Sequence, residues 1–308
     1  MKLSLVVPIH NEAENVGGLY REIVESLKRT EYEILFVDDG SSDKSLEVLK
    51  KIARKDKKVK VIEFLRNFGQ TAAMAAGIKE SSGELIVTLD GDGQNNPGDI
   101  IKMVESIKGV DLVSGYRKNR KDPFWRSFFS KLANQLINII TGTKLHDTGC
   151  SLKVYKRECF DNFTLYGEMH RFIPALLLQK GFKAREIEVD HRPRVKGKSH
   201  YGMSRIFKVI LDLLSIKFMD KFSTKPIHVF GGSGLMIFFL GGLSGVFVVY
   251  RKIFWGGEWV SPMMFVTMLL VMVGFQFIFM GFLAEMITKS SFENSQKLPY
   301  KIKARVNL

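Results

Sequence analysis

The chain has 308 residues, of which 45% are hydrophobic and 25% charged, and 46 Lys and Arg against 32 Asp and Glu leave a formal charge of +14. The apolar content excludes a disordered chain. Two cysteines, Cys150 and Cys159, exclude a disulfide scaffold, and so much charge excludes a polytopic protein with many spans. The length accommodates one large domain and an accessory region.

Along residues 1 to about 200, strand and helix patterns alternate. Leu3–Ile9, Ile34–Asp38, Lys60–Phe64, Leu85–Leu89 and Leu112–Gly115 are short runs rich in Val, Ile and Leu, as buried parallel strands require. Between and after them, Ala13–Lys28, Ser45–Lys55, Thr71–Lys79, Gly98–Ile107 and Ser127–Ile140 read as helices. The alternation predicts an α/β domain with a doubly wound sheet covered on both faces, whose ligands bind beyond the carboxyl ends of its strands.

The polar clusters fall at those ends. The first strand runs into Pro8-Ile9-His10-Asn11-Glu12, the second into Asp38-Asp39-Gly40-Ser41-Ser42-Asp43, the fourth into Asp90-Gly91-Asp92-Gly93-Gln94. An Asp-Gly pair alone is a turn; three such clusters on one edge are a site. Asp90 and Asp92 are two apart, so in extended backbone their carboxylates share a face, and the Gln94 carbonyl offers a third oxygen. An all-oxygen set suits Mg²⁺ or Mn²⁺ rather than zinc. A hard cation there would grip a diphosphate leaving group. The chain has no glycine-rich phosphate loop after a strand, which disfavours nicotinamide chemistry and P-loop hydrolysis.

Two stretches near the C-terminus, Ile227 to Tyr250 without any charge and Ser261 to Thr288 with Glu285 alone, exceed the roughly 20 residues of a membrane span. Six glycines in the first allow close helix approach. Trp255 and Trp259 in the connection suit an interface. Lysines cluster at the outer ends of the pair (Lys217, Lys221, Lys225; Lys289, Lys297, Lys301, Lys303), which predicts both termini and the catalytic domain in the cytoplasm. Ser204 to Phe222 alternates apolar residues with Arg205, Lys208, Lys217 and Lys221, the pattern of an amphipathic helix in the headgroup layer. The expected division is 1–203 as catalytic domain, 204–226 as amphipathic segment, 227–288 as two transmembrane helices and 289–308 as a cytoplasmic tail.

The three acidic motifs resemble those of family 2 glycosyltransferases. With Arg117, Arg126, Asp147-Thr148-Gly149-Cys150, Glu168 to Ala175, Gly197-Lys198-Ser199-His200-Tyr201 and two terminal spans, the chain is similar to the polyprenyl-phosphate group, which includes dolichol-phosphate mannose synthase and undecaprenyl-phosphate glucosyltransferases. The resemblance covers essentially the whole chain and implies a GT-A fold with interfacial helices and a C-terminal transmembrane pair. It implies a membrane-bound, inverting transfer of a hexose from a nucleotide sugar, UDP-glucose ahead of mannosyl and N-acetylhexosaminyl donors, to undecaprenyl or dolichyl phosphate. By position, Pro8, Asn11, Glu12, Asp39, Asp90 and Glu168 are assigned to the nucleotide sugar, and Asp90, Asp92 and Gln94 to the metal. Asp92, Arg117, Arg126 and Asp147 are assigned to catalysis. Arg117, Arg126, Arg194, Lys198 and Arg205 are assigned to the acceptor phosphate, because Arg forks match phosphate oxygens. Many relatives have Ser-Lys-Tyr where this chain has Ser199-His200-Tyr201, which transfers the expected charge to Lys198. An acceptor phosphate is already anionic and nucleophilic, which fits the lack of a Ser-His-Asp or Cys-His set. The +14 charge is therefore read as attraction to a lipid bilayer and its phosphates, not to nucleic acid; a homo-oligomer is compatible with the pattern. A tethered nucleotide-sugar-binding protein without catalysis is the non-enzymatic alternative, and a polysaccharide synthase is disfavoured by the small number of spans.

Overall fold

The structure, a computed structural model, describes residues 1–117, 138, 143, 145–161, 163–165, 167, 169–192, 226–256, 260–293 and 300–308, with backbone alone for 226–229, 285 and 288–293. The chain divides into two compact units, Met1–Leu213 with Leu298–Leu308, and Leu214–Lys297.

The first unit is an eight-stranded sheet in the order β7-β5-β6-β4-β1-β2-β3-β8. Its strands are β1 (Leu3–Ile9), β2 (Tyr32–Asp38), β3 (Val59–Phe64), β4 (Leu85–Thr88), β5 (Leu112–Tyr116), β6 (Lys153–Lys156), β7 (Ala184–Glu188) and β8 (Ile302–Val306). β1 to β4 run parallel, β7 runs parallel to β5, and β6 and β8 are antiparallel to their neighbours. The mixed sheet thus has the architecture expected, and β1 to β5 lie within two residues of their predicted bounds. β6, β7 and β8 are additions. Ala184–Glu188 is partly exposed throughout, and a strand without a buried face lacks the apolar run that marks the others.

Helices α1 (Ala13–Ser26), α2 (Ser45–Lys55), α3 (Gln70–Glu80), α4 (Asp99–Glu105) and α5 (Ile173–Gln179) accompany the sheet. α1 buries Val16, Leu19 and Ile23, and α2 buries Ser45, Leu49 and Ala53, the i, i+3/i+4 spacing of a single inward stripe. α3 buries mostly small residues. A Cβ on Gly77 would come within 2.4 Å of Val6 Cγ1, so this helix lies on β1 at a distance only glycine permits. Register places the site: Ile9 pairs with Asp38 and Val6 with Thr88, so the carboxyl ends of β1, β2 and β4 open on one edge.

The second unit is an antiparallel pair, α6 (Pro226–Trp255) and α7 (Pro262–Glu293). Within it, 26 and 23 residues are long and apolar enough to cross a membrane. A Cβ on Gly234 would lie 2.8 Å from Gly274 O, and one on Gly274 would lie 2.7 Å from Phe238 N; the two backbones meet at these glycines. Ser244 Oγ and Thr267 Oγ1 share a hydrogen bond of 2.8 Å. α6 continues through Arg251 and Lys252, which sequence alone placed in the connecting loop, because nothing before Gly256 (φ +66°) breaks the helix. The stretch expected as a tail, 289–308, holds the end of α7 and then β8, which pairs with β3. The amphipathic segment before Pro226 and the predicted helix Ser127–Ile140, apart from Asn138, lie outside the described residues.

Candidate active site

The carboxyl ends of β1, β2 and β4 surround a cavity of about 320 Å³, lined by Pro8, His10, Glu12, Asp39, Asn67, Gln70, Asp90, Asp92 and the backbone between them. Asn11 takes a left-handed conformation, φ 57°, which asparagine tolerates better than most residues. There its Oδ1 accepts hydrogen bonds from Ser42 N at 2.8 Å and Asp43 N at 3.3 Å. Asp43 in turn accepts from Ala13 N and Ser45 N. Asn11 therefore ties the β1–α1 turn to the β2–α2 turn behind the cavity. Glu12 lines the cavity, and its Oε2 accepts from Asn15 Nδ2 at 2.6 Å.

Asp39 also lines the cavity, and its carboxylate accepts hydrogen bonds from Phe68 N at 2.6 Å and Gly69 N at 2.9 Å at the start of α3. His10 Nδ1 lies 2.8 Å from Asp39 O. A carbonyl only accepts, so Nδ1 carries the proton and Nε2 accepts from Asn11 Nδ2. Asp38 is buried beneath, with Oδ2 on Ser41 N and Oδ1 without a hydrogen-bond partner. Burial pushes its carboxyl pKa up, and unlike Asp39 it does not line the cavity.

Asp90 and Asp92 line the cavity together at the carboxyl end of β4. Asp90 Oδ1 accepts from Gln70 Nε2 at 2.7 Å, and its backbone N donates to Asn95 Oδ1 at 3.3 Å. Burial, then the neighbouring Asp92 charge, raise its pKa from 3.8 to about 6. A divalent cation would favour the ionised form of the Asp90 carboxylate, and an oxygen donor set of this kind fits a hard ion. Among the described residues no group of three His, Cys, Asp or Glu side chains gathers here, so a bound ion would take its other oxygens from the diphosphate or water. Gln94 N donates to Asp92 Oδ1 at 3.1 Å, while its side-chain amide lies 3.5 Å from Arg192 O.

A second polar corner lies at the ends of β5 and β6. Arg117 forks onto Asp147, Nε to Oδ2 at 2.7 Å and Nη2 to Oδ1 at 2.9 Å, with both side chains largely buried. Asp147 also accepts from Gly149 N, and Glu186 accepts from the backbone of His146 and Asp147. Two residues assigned separately from sequence are thus one bidentate pair. Between this corner and Asp90 sits Lys153, which is 3% exposed and donates to Thr148 O at 3.2 Å. Burial lowers its pKa to about 8, against the opposing pull of Cys150, Asp147 and Asp90. Cys150 and Cys159 are buried, and burial raises the Cys150 thiol to about 11, so both read as core residues.

Sequence reading did not single out Gln70, Asn95, Lys153 or Glu186. The first two carry no motif, and a lysine opening an apolar strand was the sole trace of the third. Arg192 is engaged with Glu22 at 2.7 Å and Asn96 at 3.1 Å. His170 packs under α3, 2.7 Å from Thr71 Oγ1. Arg126, Glu168, Arg194, Lys198 and Arg205 lie outside the described residues.

Residues 4–164 match the family model "Glycosyl transferase family 2". The dodecaprenyl-phosphate galacturonate synthase of Rhizobium johnstonii is 42% identical over 98% of this chain and 92% of its own length. The undecaprenyl-phosphate 4-deoxy-4-formamido-L-arabinose transferase of Proteus mirabilis is 35% identical over 93% of this chain and 88% of its own. Among solved structures, the glucosyl-3-phosphoglycerate synthase of Mycobacterium tuberculosis, in complex with Mn²⁺ and UDP-glucose, superposes with a TM-score of 0.53 at 14% identity, covering 70% of this chain and 78% of that one. At that identity the likeness is one of fold.

Proposed function

The chain belongs to glycosyl transferase family 2 and has a GT-A fold, and from that premise we propose that it transfers a glycosyl group from a nucleoside-diphosphate sugar to a polyprenyl phosphate at a membrane. The observation that carries this reading is the cavity at the carboxyl ends of β1, β2 and β4, with Asp90 and Asp92 on one side and Asp39 and Glu12 on the other. It is wide enough for a nucleotide and acidic enough to need a cation between itself and a diphosphate. The relatives named for dodecaprenyl- and undecaprenyl-phosphate products supply the acceptor class.

An acceptor phosphate oxygen attacks the sugar C1 from the face opposite the leaving group. The new C1–O bond forms as the bond to the β-phosphate oxygen breaks, which inverts the anomeric centre. The acceptor is ionised, so the protein supplies positioning and charge rather than a base. Mg²⁺ or Mn²⁺ held by Asp90 and Asp92, with Gln94 beside them, would supply positive charge to the departing diphosphate. Gln70 orients Asp90 for that role. Asn11, Glu12, Asp39 and Pro8 shape the nucleoside end, and Glu168 is assigned to the sugar. Arg117, locked by its fork to Asp147, presents a fixed cation to the acceptor phosphate, and Arg126, Arg194, Lys198 and Arg205 extend that basic path.

The hairpin α6–α7 is proposed to cross the membrane twice. Two crossings return the chain to the side it left, and β8 follows α7 into the sheet unit, so both ends are assigned to the catalytic, cytoplasmic side. An impermeant thiol reagent applied from outside should label Val260→Cys and not Leu308→Cys; the reverse pattern refutes the orientation. For the sugar, a uridine-linked galacturonosyl donor ranks ahead of glucose, since a relative alike along nearly the full chain is named for galacturonate. The deciding assay incubates the purified protein, Mn²⁺ and undecaprenyl phosphate with radiolabelled UDP-galacturonate, UDP-glucose, GDP-mannose and UDP-N-acetylglucosamine in turn. Label reaching the lipid phase from one donor identifies it, and none from any donor sinks the reading.

A further inference from the structure

Tyr300 and Lys301 contact the start of the loop that lines one side of the cavity. Tyr300, 5% exposed, stacks on Phe64 with ring centroids 5.0 Å apart and planes at 15°. Phe64 meets Phe68 edge-on at 5.7 Å, and Lys301 O accepts from Leu65 N at 3.1 Å. These contacts bracket the loop 65–69 between β3 and α3. From that loop Phe68 N and Gly69 N bind the Asp39 carboxylate, and Asn67 and Gly69 line the cavity. On its other side the loop backbone presses on Gly40 (φ +64°), where a Cβ would sit 2.5 Å from Arg66 C. Leu65 is 60% exposed, so its side chain does not anchor the loop.

We propose that the segment leading into β8 is a donor-site element: Tyr300 and the Lys301 carbonyl are positioning groups that hold loop 65–69 where its amides fix Asp39, so that nucleotide affinity depends on this segment. This rests on the nucleotide reading above. The far end of β8 is anchored independently, by Asn307 Nδ2 to Ala53 O and Val59 O, at the opposite edge of the sheet from the cavity. Stability and affinity are therefore separable along one strand. The coupling is reciprocal by thermodynamic necessity: a strand that favours nucleotide binding is itself stabilised by nucleotide.

The first test is amide hydrogen exchange on the full-length protein in detergent, with Mn²⁺ and either UDP or GDP. Slower exchange is expected in residues 65–70 and, together with it, in 301–306. Protection of 65–70 without 301–306 overturns the inference and leaves the nucleotide reading standing. No protection of 65–70 with either nucleotide overturns both. The second test is variants. Tyr300→Ala should weaken UDP binding about tenfold, as expected for the loss of an aromatic pair that holds the loop, without altering the KM for undecaprenyl phosphate. Tyr300→Phe should bind as the parent does, and Asn307→Ala should lower Tm while leaving UDP affinity within about twofold. Should Tyr300→Ala fail to fold, Tyr300→Leu, which keeps the apolar bulk without the stack, is measured instead. Equal weakening by Tyr300 and Asn307 variants, or unchanged affinity in both, refutes the positioning role.

Discussion

In the sheet unit Phe36 and Tyr155 are 0% exposed, while in the hairpin Trp255 and Met272 are each 70% exposed. Polar groups run the opposite way: the sheet unit spends its hydrogen bonds tying loops around the cavity, whereas Ser244 and Thr267 satisfy each other between α6 and α7. One unit hides apolar surface from water; the other presents it outward and joins its helices through glycines, as expected where lipid is the solvent. The same side-chain chemistry therefore has opposite consequences in the two units, and substitutions should separate them.

The largest effect should fall on Asp90. Asp90→Asn is expected to cut metal-dependent transfer by about 10³-fold, measured as initial rates with saturating Mn²⁺. Its raised pKa adds a second, opposite signature. The stability associated with this group is complete below its ordinary value of 3.8 and is lost as pH rises through about 6. The metal-free variant should therefore melt higher than the parent at pH 8 and no higher at pH 4. A lower melting temperature at pH 8 would show that Asp90 holds the fold rather than the cation.

Glu33 should behave in the reverse sense, far from the cavity. It is buried at the opposite ends of the strands, bound by Ser4, Lys60 and Ser82. Burial alone would raise its pKa, but the hydrogen bonds from Lys60, Ser4 and Ser82 outweigh it and hold the value at about 2. Its contribution is present above its ordinary value of 4.5 and is lost as pH falls toward 2. Glu33→Gln should cost on the order of 3 kcal/mol at neutral pH by denaturant unfolding of the sheet unit, with UDP affinity retained. A loss of the same size at pH 2 would contradict this account.

Arg117→Lys keeps the charge and loses the fork to Asp147. Transfer efficiency should fall roughly tenfold to a hundredfold, appearing in the polyprenyl-phosphate dependence and not in UDP binding. The smallest change should be in the hairpin, where Ser244→Ala removes one interhelix hydrogen bond worth about 0.6 kcal/mol; thermal unfolding in detergent should shift slightly and initial rates should stay at the parent level. A hundredfold loss of transfer there would mean that the hairpin takes part in chemistry.

The legible part of the fold was whatever repeats locally. β1 to β4 and their helices showed because buried parallel strands are unbroken apolar runs and their helices carry a single inward stripe. The acidic motifs showed because three clusters of glycine and carboxylate at strand ends are local sequence patterns, and the parallel register brings them to one edge. β7 and β8 did not show, since an edge strand that is exposed on alternate residues resembles a polar tail; Ile302–Val306 is a strand only because β3 offers an open edge. Arg117 and Asp147 were each visible, but not as a pair, since β5 and the loop before β6 meet only through the antiparallel register.

Sequence by itself determined the class of the fold, the edge on which the cavity opens, the pair of acids at the end of β4 that line it and the two apolar helices, because each depends on a pattern complete within a few turns or strands. Tertiary structure alone decided that Gln70 braces Asp90, that Lys153 lies buried beside the acids, that Asp39 is held by the amides of Phe68 and Gly69, and that β8 adds an antiparallel edge strand to β3. Each joins segments far apart along the chain, and a hydrogen bond or an aromatic contact forms only where folding brings the two partners within reach.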